Sequence, residues 1–306
     1  MKDSLKLELV SAALKSARLF IYYSSSMKYL SLFYLFFLFS ALIQPLNAQK
    51  KKKKDEAESF YLVNKDWTAA PNFAAATYFM QVLKENDSTY ICRYYNKFGP
   101  MARQESFKDS ALSIPNGLFY WYDSDGYLDS SGEVEHGYKD GYWTYYRQGK
   151  EYLSIKYQNR KIVEKTDIDA DVYMDSTGAT FSLKEKLWND SLRRDSVMRA
   201  RDSTKPVQQE AKFEGNWNKY LERTVITPQR LVNVMPRGRY TVTVSFLVNQ
   251  LGKIEEVTLI KSCEWSADAE VLRVFKNAPD WIPAQQNGHP VIYRQKQSLS
   301  FEVIEQ

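Results

Sequence analysis

Between residues 239 and 304 the hydrophobic period changes from that of a strand to that of a helix and back again, and this constrains the chain more tightly than any other stretch. Tyr240, Val242, Val244, Phe246 and Val248 alternate strictly with Thr241, Thr243 and Ser245. That is the pattern of a strand buried on one side. The sequence Gln250-Leu-Gly252-Lys supplies a turn, and residues 254–261 predict a returning strand. Ser266 then offers a side-chain oxygen as a helix cap. Ala267, Val271, Leu272, Val274, Phe275 and Ala278 follow at helical spacing, and Pro279 ends the helix. Asn287-Gly288 tolerates the positive φ of a tight turn. Residues 291–304 predict a long terminal strand with Tyr293, Leu299, Phe301 and Val303 on one face. The expected product is an α+β two-layer sandwich with its own core, over residues 211–306.

Several residues of this segment resemble the C-terminal domain of TonB proteins in the form common in Bacteroidetes. Phe213-Glu-Gly215 followed by Trp217 and Tyr220-Leu221 is similar to that family's short opening helix. Trp281, Pro283, Asn287, Gly288, Pro290 and Val291 are similar to its exit from the second helix. Asn216 stands where the family usually has a second glycine, and Thr227-Pro228 stands for its Tyr-Pro. The resemblance implies a sheet edge that accepts a short extended segment, the TonB box of an outer-membrane receptor, by strand addition. Val291, Tyr293, Arg294, Lys296, Ser298 and Ser300 on the terminal strand are the implied partner-binding residues. Phe213, Gly215, Trp281, Pro283, Asn287, Gly288 and Pro290 are the implied structural motif.

A second unit precedes this one. Clusters Tyr90 to Tyr95, Phe119 to Tyr122 and Tyr142 to Tyr146 each close on a glycine, Gly99, Gly126 and Gly149. Gly117 and Gly141, which open the last two, are 24 residues apart, a spacing typical of stacked supersecondary units. Alternating aromatics predict strands, and Asn86-Asp-Ser88, Asp123-Ser-Asp-Gly126 and Arg147-Gln-Gly149 are turn chemistry. Residues 61–163 therefore predict an all-β antiparallel repeat domain. The Gly-x-Trp-x-x-Tyr-Tyr pattern resembles the MORN-like repeats of the YwqK antitoxin family. Residues 164–210 predict a charged linker with a helix over 182–202, whose stripe of Leu183, Leu187, Trp188 and Leu192 is too short to build a core. Pro206 is the sole proline between Ser182 and Ala211, unlike the proline-rich arm of energy-transducing TonB proteins.

The N-terminal residues carry a targeting layout. Met27-Lys28, the apolar run 29–43 and the break at Pro45 to Ala48 predict a secretory signal over 27–48, cleaved after Ala48. Residues 1–26 read as an upstream extension or a long n-region, and 49–60 as a basic tail led by Lys50 to Lys54. The rival is an uncleaved inner-membrane anchor, since 29–48 is long enough to span a bilayer. The five lysines oppose that orientation.

Chemistry is sparse. The net charge is +5 and its excess sits in one lysine block, which excludes a nucleic-acid stripe. Cys92 and Cys263 lack paired spacing, and His136 and His289 fall in different units beside turns, so no triad or zinc site is expected. Asp167-Ile-Asp169-Ala-Asp171 lacks the glycine and the distal glutamate of a calcium loop. No enzyme activity, metal or cofactor is expected. The reading is an exported cell-envelope adaptor that binds a protein. A TonB energy transducer and an envelope-ligand module built on the aromatic repeats are the alternatives.

Overall fold

The computed structural model describes residues 58–187, 190 and 208–304. The expected signal segment, the lysine block and most of the expected linker helix lie outside the described residues. Among the described residues no helix is long and apolar enough to cross a membrane.

The N-terminal part is one antiparallel meander in which every strand pairs with the next in sequence. Its strands are β1 (Glu58–Val63), β2 (Tyr78–Asn86), β3 (Thr89–Asn96), β4 (Met101–Phe107), β5 (Gly117–Tyr122) and β6 (Leu128–Glu135). The sheet continues with β7 (Tyr138–Arg147), β8 (Lys150–Gln158), β9 (Lys161–Asp167), β10 (Val172–Met174) and β11 (Thr180–Phe181). The turns form where the polar clusters predict them. At Asp123, Oδ1 accepts from the N–H groups of Asp125 and Tyr127, each at 2.9 Å, and Gly126 adopts φ +81°. Such an Asx turn supplies locally the hydrogen bonds that the ladder cannot.

Two boundaries differ from the sequence reading. The sheet starts at Glu58, inside the expected basic tail, and runs to Phe181, well into the expected linker. Tyr173 and Phe181 pair across β10 and β11, and Asp175 closes their hairpin by accepting from Thr177 and Ala179. Strands of two or three residues are too short to show a period, so the acidic composition hid them. The helix capped by Ser182 begins at residue 183, with the Glu185 N–H donating to Ser182 Oγ at 3.1 Å.

The C-terminal part contains β14 (Gly238–Val248), β15 (Ile254–Lys261) and β19 (Tyr293–Val303) in the order β15-β14-β19. One face of this sheet carries the helix α3 (Trp265–Lys276). The short helices α1 (Trp217–Thr224) and α2 (Gln229–Val234) enter the domain. Small ladders join β12 (Gln208–Gln209) to β17 (Ala284–Gln286) and β18 (His289–Val291), and β13 (Lys212–Phe213) to β16 (Trp281–Ile282). The α3 cap is Glu264 rather than Ser266: the Glu264 carboxylate accepts from both the N–H and the hydroxyl of Ser266. Glutamate is an unusual cap, so the sequence pointed to the nearer serine.

The expectation of a self-contained C-terminal core is corrected. Phe79, Tyr95 and Met101 of the meander belong to one buried cluster with Val244, Phe246, Phe275 and Trp281. The contact is tight at Gly126, whose carbonyl accepts from Ser262 N at 2.8 Å and where an added Cβ would lie 2.2 Å from Ser262 O. Gly178 has a similar φ of +86° but open space around it. Gly178→Ala should therefore cost only the left-handed backbone term of about 1–2 kcal/mol, and Gly126→Ala distinctly more. Urea midpoints of the two variants check this, and equal values would mean that the Gly126–Ser262 contact is absent in solution.

Candidate functional site

The two outer strands of the C-terminal sheet meet different surroundings. At β15, Tyr127 forms an isolated bridge with Lys261, Lys261 Nζ donates to Tyr127 Oη at 2.9 Å, and Tyr122 Oη donates to Leu259 O at 3.0 Å. The meander thus occupies the end of that strand. At β19, no strand among the described residues pairs on the side away from β14. A row of backbone donors and acceptors is left open there, which is a template for one more strand.

The register with β14 is unbroken from Gly238↔Val303 to Val248↔Tyr293, so β19 is paired along its whole inner side. Leu299, Phe301 and Val303 are buried against the helix layer. Arg294, Lys296, Ser298, Ser300 and Glu302 are exposed on the opposite face. Ser298 and Ser300 share their hydroxyl protons with Thr243 and Thr241 at 2.9 Å each. Arg294 reaches across β14 to Glu256 at 2.8 Å.

One of the residues expected along the edge lies outside β19, and another, the first residue of β19, faces the core. Val291 ends β18, where it pairs with Ala284 and packs against the core, and Ile292 separates it from β19. Tyr293 points to the core side, and its hydrogen bond to the Glu210 side chain raises the phenol pKa. A single continuous strand over 291–304 was the simplest reading of the alternation, but the Asn287-Gly288 turn, with φ of +52° and +74°, closes a separate short hairpin first. Of the expected structural motif, Phe213 and Trp281 are brought into contact. Phe213 pairs with Trp281, and the Trp281 ring lies 5.1 Å from Trp217 and 5.4 Å from Phe246. Gly215 has φ +109°, Pro283 links β16 to β17, and Pro290 is exposed in β18.

Sequence reasoning missed the carboxylates at the seam between the two sheets. Asp268 is fully buried, accepts from Ser262 Oγ at 2.5 Å and from Cys263 N at 3.2 Å, and Ser262 Oγ in turn accepts from Met101 N at 2.7 Å. Burial is the main cause that pushes its pKa up to about 7, opposed by these hydrogen bonds. Glu264 accepts from Arg230 Nε at 2.7 Å while Arg230 Nη2 donates to Lys97 O at 3.0 Å, tying the meander to α2. An Asp at the fourth position of an ordinary amphipathic helix carries no sequence signal of burial.

The aromatic repeats form packing layers. Trp143 lies flat over Gly132, donates its indole N–H to Glu133 O at 2.9 Å, and is 1% exposed. Lys139 Nζ sits 4.1 Å from its ring centre. Further along the sheet the buried Arg103 guanidinium is held between Trp67 and Tyr94, at 3.9 and 4.2 Å, and pairs with Glu105 at 3.1 Å. The rings that could have stacked on a ligand are largely occupied by one another and by the chain's own cations. His136 lies in the β6–β7 turn with φ +48°, and His289 is exposed on β18. Asp167, Asp169 and Asp171 surround the β9–β10 turn, where Asp167 accepts from Ala170 N and Asp169 pairs with Arg147. Cys92 and Cys263 are both buried, free thiols.

Residues 239–303 match the family described as Gram-negative bacterial TonB protein C-terminal. The match spans β14 to β19, while the opening segment from 211 and the aromatic meander fall outside it. Comparison with curated proteins and with solved structures returns no match. The chain thus carries a TonB-type C-terminal domain, which suggests a TonB-like protein of the cell envelope; such domains typically interact with proteins such as outer-membrane receptors.

Proposed function

We propose that this chain is an exported, non-catalytic adaptor of the cell envelope, whose TonB-type domain binds an extended segment of another protein by strand addition along β19. The observation that carries this reading is the asymmetry of the sheet: the meander occupies the end of β15, and β19 is left open. Main-chain hydrogen bonds would provide affinity and alternate side chains the register. A TonB-box-like segment of an outer-membrane receptor is the partner class this implies. The adaptor reading is preferred to an energy transducer because the meander shares a core with the domain, so the domain does not hang on a free arm. The protein would act in the periplasm after cleavage at Ala48.

Consecutive residues of a strand send their N–H groups to opposite sides. Proline substituted singly at Gln297 and at Ser298 therefore removes one donor facing β14 and one facing the open edge. Titration of the full-length protein with receptor segments should show binding abolished by the outward-facing proline in a protein that still melts cooperatively, with Ser298→Ala nearly neutral. If no segment binds, or if neither proline affects binding in folded protein, strand addition on β19 is wrong.

A further inference from the structure

The charges along the open edge are unevenly compensated. On the exposed face of β19, Glu302 stands directly across from Arg239 in the β14 register. Arg294 is paired with Glu256 and lies 3.4 Å from Ser245 Oγ. Between these ends, Ser298 and Ser300 are engaged with the β14 threonines. Lys296 differs. Its cross-strand neighbour is Ser245, and among the described residues it has no ion-pair partner. The first half of the edge therefore presents a cation with no counter-charge, two residues along the strand from a second cation whose only carboxylate is itself exposed on β15.

We propose that the segment recognised by this edge is acidic, with carboxylates at two alternate positions that face Lys296 and Arg294. The proposal rests on the strand-addition reading above and specifies its partner. A strand hydrogen-bonded to β19 would place the side chain opposite Lys296 within the roughly 4.5–5.5 Å Cβ spacing of a cross-strand pair, and the residue two further along would face Arg294. The same period puts the intervening residues on the other side, where Gln295 and Gln297 are half-buried and Leu299 is buried. The favoured segment thus alternates acidic residues with polar or apolar ones. A lysine at either acidic position would meet a like charge at close range, so the same geometry rejects basic segments.

Three nonapeptides of Val and Thr, bearing Glu, Gln or Lys at the same two alternate positions, test this by calorimetric titration of the full-length protein. Each opposite-charge pair contributes roughly two- to fivefold, so the Glu peptide should bind about tenfold tighter than the Gln peptide and the Lys peptide weakest. The Glu preference should shrink as salt is raised. Lys296→Gln should reduce it and Lys296→Glu should remove or invert it; Lys296 is exposed, so both variants test charge rather than folding. Equal binding of the Glu and Gln peptides overturns the acidic preference while leaving strand addition intact. A Glu preference unchanged in Lys296→Glu also overturns it, because the selecting charge would then lie elsewhere. If none of the three peptides binds, the strand-addition reading fails and takes this proposal with it.

Discussion

Trp281→Ala lowers the stability of the folded chain by about 3–5 kcal/mol, the range for truncating a large core aromatic. The side chain is 7% exposed and meets Phe213, Trp217 and Phe246 in edge-on contacts. Its backbone is clamped as well: Trp281 N donates to Gly252 O at 2.7 Å, and the Trp281 carbonyl fills the space that a Cβ at Gly252 would need. The effect is one of packing rather than hydrogen bonding, because the buried indole N–H has no hydrogen-bond partner among the described residues. Trp281→Phe keeps most of the ring and gives up no bond, so it should recover much of the loss. Because the core includes Phe79, Tyr95 and Met101, the alanine variant should also loosen the meander. Chemical denaturation followed by fluorescence and by hydrogen exchange of the meander amides would measure both effects. A loss under about 1 kcal/mol would place Trp281 outside the core.

Asp268→Asn changes how stability depends on pH, and its sign follows from the direction of the Asp268 shift. Burial raises the native carboxyl from its ordinary 3.8 to about 7. Between these values the native state holds a proton that the unfolded chain has released. Stability from this group is therefore full below about pH 4, falls as pH rises, and is lost above about pH 7. The size of the shift corresponds to something on the order of 4 kcal/mol. Ser262 and the Cys263 N–H favour the ionised form, as does Arg93, while Glu264 opposes it. Asparagine has nearly the same shape and does not titrate. Relative to the native chain, Asp268→Asn should be comparable near pH 4 and more stable at pH 8. Thermal melts of both proteins across this range give the comparison, and taking the difference cancels the other carboxylates. A difference independent of pH would mean that Asp268 does not carry a raised pKa. Since Asp268 binds Ser262, which binds Met101 N, the gain at pH 8 should also appear as tighter attachment of the meander to α3.

Local pattern carried much of this molecule. The alternation of Tyr240 to Val248 determined β14 and which of its faces is buried, because the side chains of a strand have a period of two. The spacing of Ala267, Val271, Val274 and Phe275 determined α3, and Asp123 to Gly126 and Arg147 to Gly149 determined hairpin turns, since each of these needs only neighbours within a few residues. The repeat of Phe119 and Trp143 marked the meander for the same reason. What only the tertiary structure decided involves residues far apart in the chain. Met101 and Ser262 are 161 positions apart, and no period joins them. The docking around that contact merges two expected cores into one, buries Asp268, and occupies the end of β15, while β19 has no second partner strand among the described residues. Which sheet edge is free depends on where another sheet docks, and docking is set by the shape and hydrogen bonding of whole surfaces rather than by the order of residues along either strand.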